Sequence, residues 1–567
     1  MPLLDWVNRN QAEETADQVP YHLLKFEKSY GDYDQTQENL IVRGDNLQAL
    51  KALLPLYGGQ VKCIFIDPPY NTEQAIEHYD DKLEHAQWLS IMFPRVQLLR
   101  DFLRNDGLFF IILSDHQIHY MKVICDEIFG RSNFINQVSL KMKESAGASG
   151  GGEDKKLKKN IEYLLIYCKN LKNFSKFNDV KEEEDLFEYI EDMKDKGKSW
   201  KYTRVVEDFG QKTYFKSIKD GAGEEIKIYK HENTILTSIS TIAKRDELTE
   251  KEVYLKHYEN IFRDTNAQSS IRQRVLEAVD EGEFFSIEYT PKSGKNKNKL
   301  TTVYYKGQNC DQLAWLRDIA FKKGRRIVRQ SKLGTYWEGF PLNNLTKEGG
   351  VRFPKGKKPE ALIKRVLDLC TDENDLVMDS FLGSGTTAAV AHKMRRRYIG
   401  VEMGEQAVTH VLPRLQLVIN GDNTGISDDV DWNGGGGFNY FTLGSPVFNE
   451  LGFLNSDVKF NDLASYVWWL ETKTPLQSNK HDTPFLGVHN EVAYYLLYNG
   501  VLGDTRPRGG NLLTHKVLKY LDENYAYDGK RIIIGEATRI GDSSLEALNI
   551  EFKQIPYALY GTQANKD

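Results

Sequence analysis

The segment Val61-Lys62-Cys63-Ile64-Phe65-Ile66-Asp67-Pro68-Pro69-Tyr70 constrains the fold more than any other stretch of this chain. A short, nearly continuous apolar run reads as a strand of a parallel sheet that is buried on both faces. This run ends in an acid, two prolines and an aromatic residue. The prolines fix φ and remove two backbone donors, so the loop after the strand is stiff and extended. A carboxylate and a flat ring are thereby held at the carboxyl end of a strand, where open α/β sheets bind ligands. In isolation, an ordinary proline-rich turn after a strand would read the same way.

A second constellation lies some three hundred residues further on. Leu376-Val377-Met378-Asp379 reads as another buried strand, followed by Ser380-Phe381-Leu382-Gly383-Ser384-Gly385-Thr386-Thr387 and an Ala-rich helix over 388–394. Gly383 and Gly385 allow a tight turn and close approach to a ligand, and the helix start offers free N–H groups at the positive dipole end. Tyr398 to Glu402 gives the next strand, ending in an acid placed to hold ribose hydroxyls. A lone Gly-x-Gly fits NAD, FAD or a purely structural turn. The third glycine of the dinucleotide fingerprint is missing, because Ala388 stands there. That favours a cofactor without a pyrophosphate.

An acid that accepts from an exocyclic amine, beside a ring that stacks on a base, is what chemistry on a nucleobase amine needs. With both constellations in this order, the chain resembles the amino-group DNA methyltransferases that use S-adenosylmethionine. The match is to the permuted class, in which D-P-P-Y precedes the cofactor glycine loop. Asn71-Thr72 extends the motif as in modification subunits of type III restriction systems. Gly44-Asp45-Asn46-Leu47 resembles the strand-end acid near the cofactor adenine. Phe353-Pro354-Lys355-Gly356-Lys357-Lys358-Pro359-Glu360 resembles the segment that closes over the methionine tail. The resemblance covers about positions 40–170 and 350–415.

The resemblance implies a Rossmann-like α/β core with a mostly parallel sheet, helices on both faces, an inserted target-recognition domain and a C-terminal α/β module. It implies that Asp67, Pro68, Pro69 and Tyr70 are catalytic. Tyr70 would stack on a flipped adenine, while Asp67 and a carbonyl of Pro68-Pro69 accept from its N6 amine. For S-adenosylmethionine it implies Glu402 at the ribose, Asp45 at the adenine amine, Phe381, Gly383 and Gly385 around the ligand, Asp379 close by, and Lys358 at the carboxylate. Lys355 and Lys357 are equally available for that last role. Asp67 points to adenine N6, since the cytosine-N4 enzymes more often have Ser there. Cytosine N4, RNA, or a catalytically silent recognition subunit are the alternatives. No metal is implied.

A length of 567 residues suggests about three units. Five widely spaced cysteines, with no C-x-x-C, indicate neither a zinc ribbon nor a disulfide framework. No signal peptide or run long enough to span a bilayer is found. No P-loop is found either, so cleavage would need a separate helicase–nuclease subunit. The expected partners are therefore duplex DNA, such a restriction subunit and a second copy of the chain, with no membrane. The resemblance implies a prokaryotic cytoplasm.

A net charge of −6 suits a DNA binder poorly, but charge is uneven. Residues 291–360 carry seventeen Lys and Arg against five Asp and Glu, whereas residues 421–567 carry twelve against nineteen. Phosphate contacts need local cations, whatever the total. Lys322, Lys323, Arg325, Arg326 and Arg329, with Lys292, Lys295, Lys297 and Lys299, are the candidates. A solvated basic loop is the bland reading of any one cluster.

The expected organisation is an N-terminal extension over 1–38, a catalytic half over 39–170, a target-recognition insertion over 171–345, a cofactor half over 346–420 and an interaction module over 421–567. A glycine-rich loop over 141–160 is a candidate to close over DNA. Gly434–Gly437 reads as a hinge-like linker. The segments 457–470, 490–497 and 512–520 read as helical, Arg531–Gly535 as a strand, and His481 and His489 as isolated.

Overall fold

The computed structural model describes residues 3–32, 39–70, 84–142, 159–221, 223–266, 270–279, 284–292, 296–342, 345–353, 356–449, 454–476, 483–499 and 511–555. Asn71-Thr72, Lys295, Pro354-Lys355, His481 and the middle of the 141–160 loop lie outside the described residues. The chain divides into two compact units, Met1–Asn178 with Gly334–Asp567, and Asp179–Leu333.

The first unit is built on ten strands: β1 (His22–Gly31), β2 (Leu40–Arg43), β3 (Val61–Ile66), β4 (Leu103–Leu113), β5 (Phe134–Lys141), β6 (Ile161–Cys168), β7 (Tyr336–Trp337), β8 (Leu376–Asp379), β9 (Arg397–Glu402) and β10 (Gly437–Pro446). They form one sheet in the order β1-β10-β2-β9-β8-β3-β4-β6-β5-β7. From β10 to β4 every neighbouring pair is parallel, whereas β1 pairs antiparallel with β10 and β6 runs antiparallel between β4 and β5. The apolar runs are central strands buried without alternation, as two covered faces require. Ile64 and Ile66 join the cluster formed with α1 (Arg9–Gln18), α2 (Asn46–Tyr57) and α3 (His85–Phe102). The alternate residues Cys63 and Phe65 are equally buried on the opposite face. The expected mixed α/β core with a mostly parallel sheet is what the chain forms.

In α3, Leu89, Met92, Phe93, Val96 and Leu99 are all buried, and the helix continues through Pro94. In this unit two helices, α4 (Ile118–Cys125) and α5 (Glu360–Cys370), come next in the chain, and Gly385, in the left-handed conformation at φ 82, then starts α6 (Thr386–Lys393). A further helix, α7 (Leu412–Ile419), packs on α6.

Three differences from the sequence reading concern strand pairing and packing. The N-terminal segment is a helix plus an edge strand of the main sheet. Gly434–Gly437 is not a free linker. The run packs against α6, with His392 donating from Nε2 to Gly435 O at 2.9 Å, and leads into β10 between β1 and β2. A Cβ at Gly436 would stand 2.6 Å from His392 Nε2. Residues 490–497 are not helical: Val492–Leu496 pairs antiparallel with Phe485–His489 and parallel with Lys530–Gly535, in a four-stranded sheet closed by Ile550–Gln554. Its β-branched and aromatic residues suit a strand once those neighbours are present. The helix Phe460–Thr472 of this region packs on the core through Tyr466, whose ring lies 4.5 Å from that of Tyr21.

The second unit contains an eight-stranded antiparallel sheet, a small three-stranded sheet and several short helices. Among the described residues, no helix of the chain is long and apolar enough to cross a membrane.

Candidate active site

The strands β3 and β8 lie side by side and parallel, with Val377 opposite Cys63 and Met378 opposite Ile64. The connection leaving β3 leads to β4 on one side, and that leaving β8 leads to β9 on the other. This is a topological switch point, where a crevice opens at the carboxyl ends of the strands. Asp67 and Asp379 follow from the ends of these two strands and line one cavity together with Pro68, Pro69, Tyr70, Phe353, Lys358, Phe381, Gly383 and Thr387. The empty space there is about 570 Å³, its open mouth included.

The two prolines give their carbonyls different surroundings. Trp88 on α3 donates from Nε1 to Pro69 O at 2.8 Å. The Pro68 carbonyl remains as the acceptor of the pair among the described residues. Asp67 accepts from Lys358 Nζ at 2.7 Å on Oδ2. The Tyr70 hydroxyl donates to Glu162 Oε2 at 2.8 Å, and Lys358 Nζ lies 3.6 Å from that same oxygen and 5.0 Å from the centre of the Tyr70 ring. Burial pushes the Asp67 carboxyl up; Lys358 opposes that rise and Glu162 adds to it. Burial pulls the Lys358 ammonium down, but Asp67 and Glu162 outweigh it and hold the group above its ordinary value. Burial, reinforced by both carboxylates, holds the Tyr70 phenol well above its usual range. Tyr70 is therefore a neutral ring at any physiological pH.

Asp379 accepts from Phe381 N at 2.9 Å and from the Thr387 hydroxyl at 2.6 Å. Burial pushes this carboxyl up to about 7, against those two hydrogen bonds and with a further push from Asp67 and Glu402. Glu402 accepts from Gly383 N at 2.6 Å and so braces the glycine loop from behind.

Not every expected residue lines the cavity. Asp45 caps α2, accepting from Leu47 N at 3.0 Å and Gln48 N at 3.2 Å, and its other oxygen accepts from Arg95 Nη2 at 2.9 Å. It thus ties α2 to α3. Gly385 acts through its backbone shape at the start of α6. Of the three candidate lysines, Lys357 turns inward to the carbonyls of Glu348 and Val351, and Lys358 enters the site at Asp67. Sequence reasoning passed over Glu162, Trp88 and Thr387. Glu162 had a signal, as a lone acid in the otherwise apolar strand Ile161–Cys168.

A buried ionic cluster supports the glycine loop. Arg414 donates to Thr386 Oγ1 and to Glu360 Oε1, each at 2.8 Å. Lys393 donates to Glu360 Oε2 at 2.8 Å and to Asp422 Oδ2 at 2.6 Å. Two cations and two anions are essentially inaccessible to solvent, which is tolerable only because each is paired.

The expected basic cluster lies in the second unit. Lys322 and Lys323 belong to the strand Ala320–Lys323, and Arg326 and Arg329 to Arg326–Lys332. The third strand of that small sheet is Lys181–Asp185, with Arg329 opposite Glu184 and Gln330 opposite Glu183. Lys323 pairs with Glu183 and Arg329 with Glu184, each at 3.5 Å, while Lys322 donates to Leu255 O. The acidic strand thus compensates part of the cluster. Arg325 and Arg326 stand exposed at the hairpin tip.

The sequence pattern of the DNA methylase family matches residues 61–412. Over 417 residues, 73% of this chain, the sequence is 42% identical to the probable type III restriction-modification enzyme HindVI Mod subunit of Haemophilus influenzae, 54% of which is covered. It is 26% identical over 430 residues to the type III restriction-modification enzyme EcoPI Mod subunit of Escherichia phage P1, covering 69% of this chain and 60% of that protein. The chain thus spans somewhat more than half the length of these two curated relatives.

Proposed function

Because the chain belongs to the DNA methylase family, we propose that it transfers a methyl group from S-adenosylmethionine to the N6 amine of adenine in duplex DNA, as the modification subunit of a restriction–modification system. The observation that carries this reading is the adjacency of Asp67 and Asp379 across the switch point, in one cavity with Tyr70 and the glycine loop.

The residues fit the cofactor. The loop Phe381–Thr387 presents Gly383 and a helix start without the third glycine of a pyrophosphate site. Phe381 and Phe353 offer apolar walls, and Asp379 with Glu402 fixes the loop's shape. When bound, S-adenosylmethionine supplies an electrophilic methyl group on sulfur.

The chain's own residues then align the nucleophile. A target adenine must leave the stack, at a cost on the order of a few kcal/mol. Tyr70 offers a neutral ring for it to stack upon. The Asp67 carboxylate and the Pro68 carbonyl accept from the two N6 hydrogens, which orients the nitrogen lone pair away from both acceptors. These acceptors also stabilise the positive charge that develops on nitrogen. Asp67 need not be a strong base, because a methylated ammonium is acidic and water can receive its proton.

Sequence selection falls to the 179–333 unit, the target-recognition insertion, with Arg325 and Arg326 at its hairpin tip contacting phosphate. A separate helicase–nuclease subunit is the partner that would cleave unmodified DNA. The base assignment rests on Asp67 at the head of the motif.

The test is methylation of unmodified plasmid DNA with S-adenosylmethionine, read by modification-sensitive long-read sequencing beside an Asp67→Ala control. N6-methyladenine in one sequence context, absent from the control, is the expected result. N4-methylcytosine would overturn the choice of base, and an unmarked plasmid despite cofactor binding would overturn the proposal.

A further inference from the structure

Glu162 reaches the active site from β6, a strand with no part in the D-P-P-Y segment or the glycine loop. One of its oxygens has two neighbours that both belong to the site. It accepts the Tyr70 hydroxyl at 2.8 Å and lies 3.6 Å from the Lys358 ammonium. Lys358 in turn donates to Asp67 at 2.7 Å. A single ammonium is thus shared between two partly buried carboxylates, one of which must accept the substrate amine.

The sharing has a chemical consequence. With Lys358 as its sole counter-charge, Asp67 would form a fully engaged ion pair and lose acceptor strength towards a neutral amine. Without Lys358, a buried Asp67 beside a second carboxylate would be partly protonated. A protonated Asp67 would present a donor where an acceptor is needed. Glu162 draws the ammonium partly away from Asp67 while Lys358 favours the ionised form of Asp67. The same Glu162 oxygen fixes the plane of the Tyr70 ring through its hydroxyl.

Resting on the methyltransferase reading above, we propose that Glu162 is a positioning residue for amine methylation, setting the share of Lys358 that Asp67 receives and the orientation of the Tyr70 ring. It touches neither the amine nor the methyl group. It acts through Lys358 and Tyr70.

The experiment is a double-mutant cycle on the full chain with duplex DNA containing the modified sequence. The variants are Glu162→Gln, Lys358→Met and the pair. Glu162→Gln retains an acceptor for the Tyr70 hydroxyl but removes the charge. Single-turnover methylation, cofactor affinity by calorimetry and thermal midpoints are read for each. The expected result is a loss of about tenfold or more in rate for Glu162→Gln, with cofactor affinity and midpoint near wild type. The loss for Lys358→Met should be larger, and the pair should be faster than Lys358→Met alone, because removing the second acid lets Asp67 ionise. Additive losses would overturn the proposal, as would a Glu162→Gln rate within about twofold of wild type. Tyr70→Phe separates the other arm: a ring that needs the Glu162 latch loses rate without its hydroxyl, whereas an unchanged rate would overturn that half. Wild-type activity on the same DNA distinguishes failure of this inference from failure of the methyltransferase reading.

Discussion

The indole N–H of Trp88 donates to the Pro69 carbonyl at 2.8 Å, across 19 residues of chain. This bond divides the two proline carbonyls by role. The Pro69 carbonyl fastens the loop to α3, and the methyltransferase reading proposed above gives the acceptor role to the Pro68 carbonyl. A half-buried helix thus holds one of the two carbonyls through an aromatic side chain, and under the proposed reading the other is left for the substrate amine.

Trp88→Phe keeps most of the apolar volume and removes the donor. Leaving a buried carbonyl unpaired costs about 1–3 kcal/mol. The expected outcome is a loss of that size in urea unfolding and a methylation rate that falls while cofactor affinity holds. A rate unchanged beside a clear stability loss would show that the loop keeps its shape without the bond.

Asp379 makes stability depend on pH in a defined direction. Its carboxyl rises from 3.8 to about 7 on folding, chiefly through burial. Between those values the folded chain holds a proton that the unfolded chain has released, so this group's contribution to stability falls as pH rises through the window. Below 3.8 both states are protonated, and above about 7 the full cost of an ionised buried acid is present. Asp379→Asn should therefore remove part of the downward slope between 3.8 and about 7, as read from urea midpoints at constant m. Parallel curves for variant and wild type would contradict it.

Glu360 is paired with both Arg414 and Lys393 inside the protein. Glu360→Gln removes the carboxylate that Arg414 and Lys393 share and leaves Asp422 with Lys393. Breaking a buried ionic set in this way costs about 3–5 kcal/mol. Chemical unfolding should show a loss of that order, and the glycine loop held by Arg414 should bind cofactor more weakly in calorimetry.

Arg325 and Arg326 test the DNA interface. The pair Arg325→Ala/Arg326→Ala should weaken binding to specific and unrelated duplexes alike. The slope of log affinity against log salt should become shallower by about 0.9 for each phosphate that no longer meets a cation. Lys323→Ala should change little, because Glu183 already faces that lysine. Weakening confined to the specific duplex would assign the tip arginines to base reading instead.

What was legible in the sequence follows from how local each signal is. The strands β3, β8 and β9 are mostly apolar runs because both their faces are covered, and each leads into an acid: Asp67 and Asp379 line the cavity, and Glu402 bonds the glycine loop. The strand β1 carries no such signal. It is an edge strand with several exposed residues, and its partner for Tyr30 is Phe438, some four hundred residues away. The basic cluster was visible, but the acidic strand that compensates it lies about 140 residues earlier and only the sheet brings them together. Asp45 stood in the right motif, yet its carboxylate is occupied by the helix it caps and by Arg95. Glu162 could be noticed as an oddity in an apolar strand, but its role depends on Tyr70 and Lys358 meeting at one oxygen.

The placement of β10 between β1 and β2 sets an order of assembly. During synthesis β1 emerges before every other strand of its sheet, yet its antiparallel partner is the last of that sheet to be made. Until residue 446 leaves the ribosome, β1 has no strand partner and β2 offers a bare edge. The catalytic and cofactor halves can pair before then, through β3 and β8. The active-site crevice can therefore form on a growing chain whose outer edge is still open, and β10 seals that edge afterwards. A ribosome stalled with the chain up to residue 436 outside its exit tunnel should thus display a chain with its glycine loop in place and its N-terminal strand still without a strand partner.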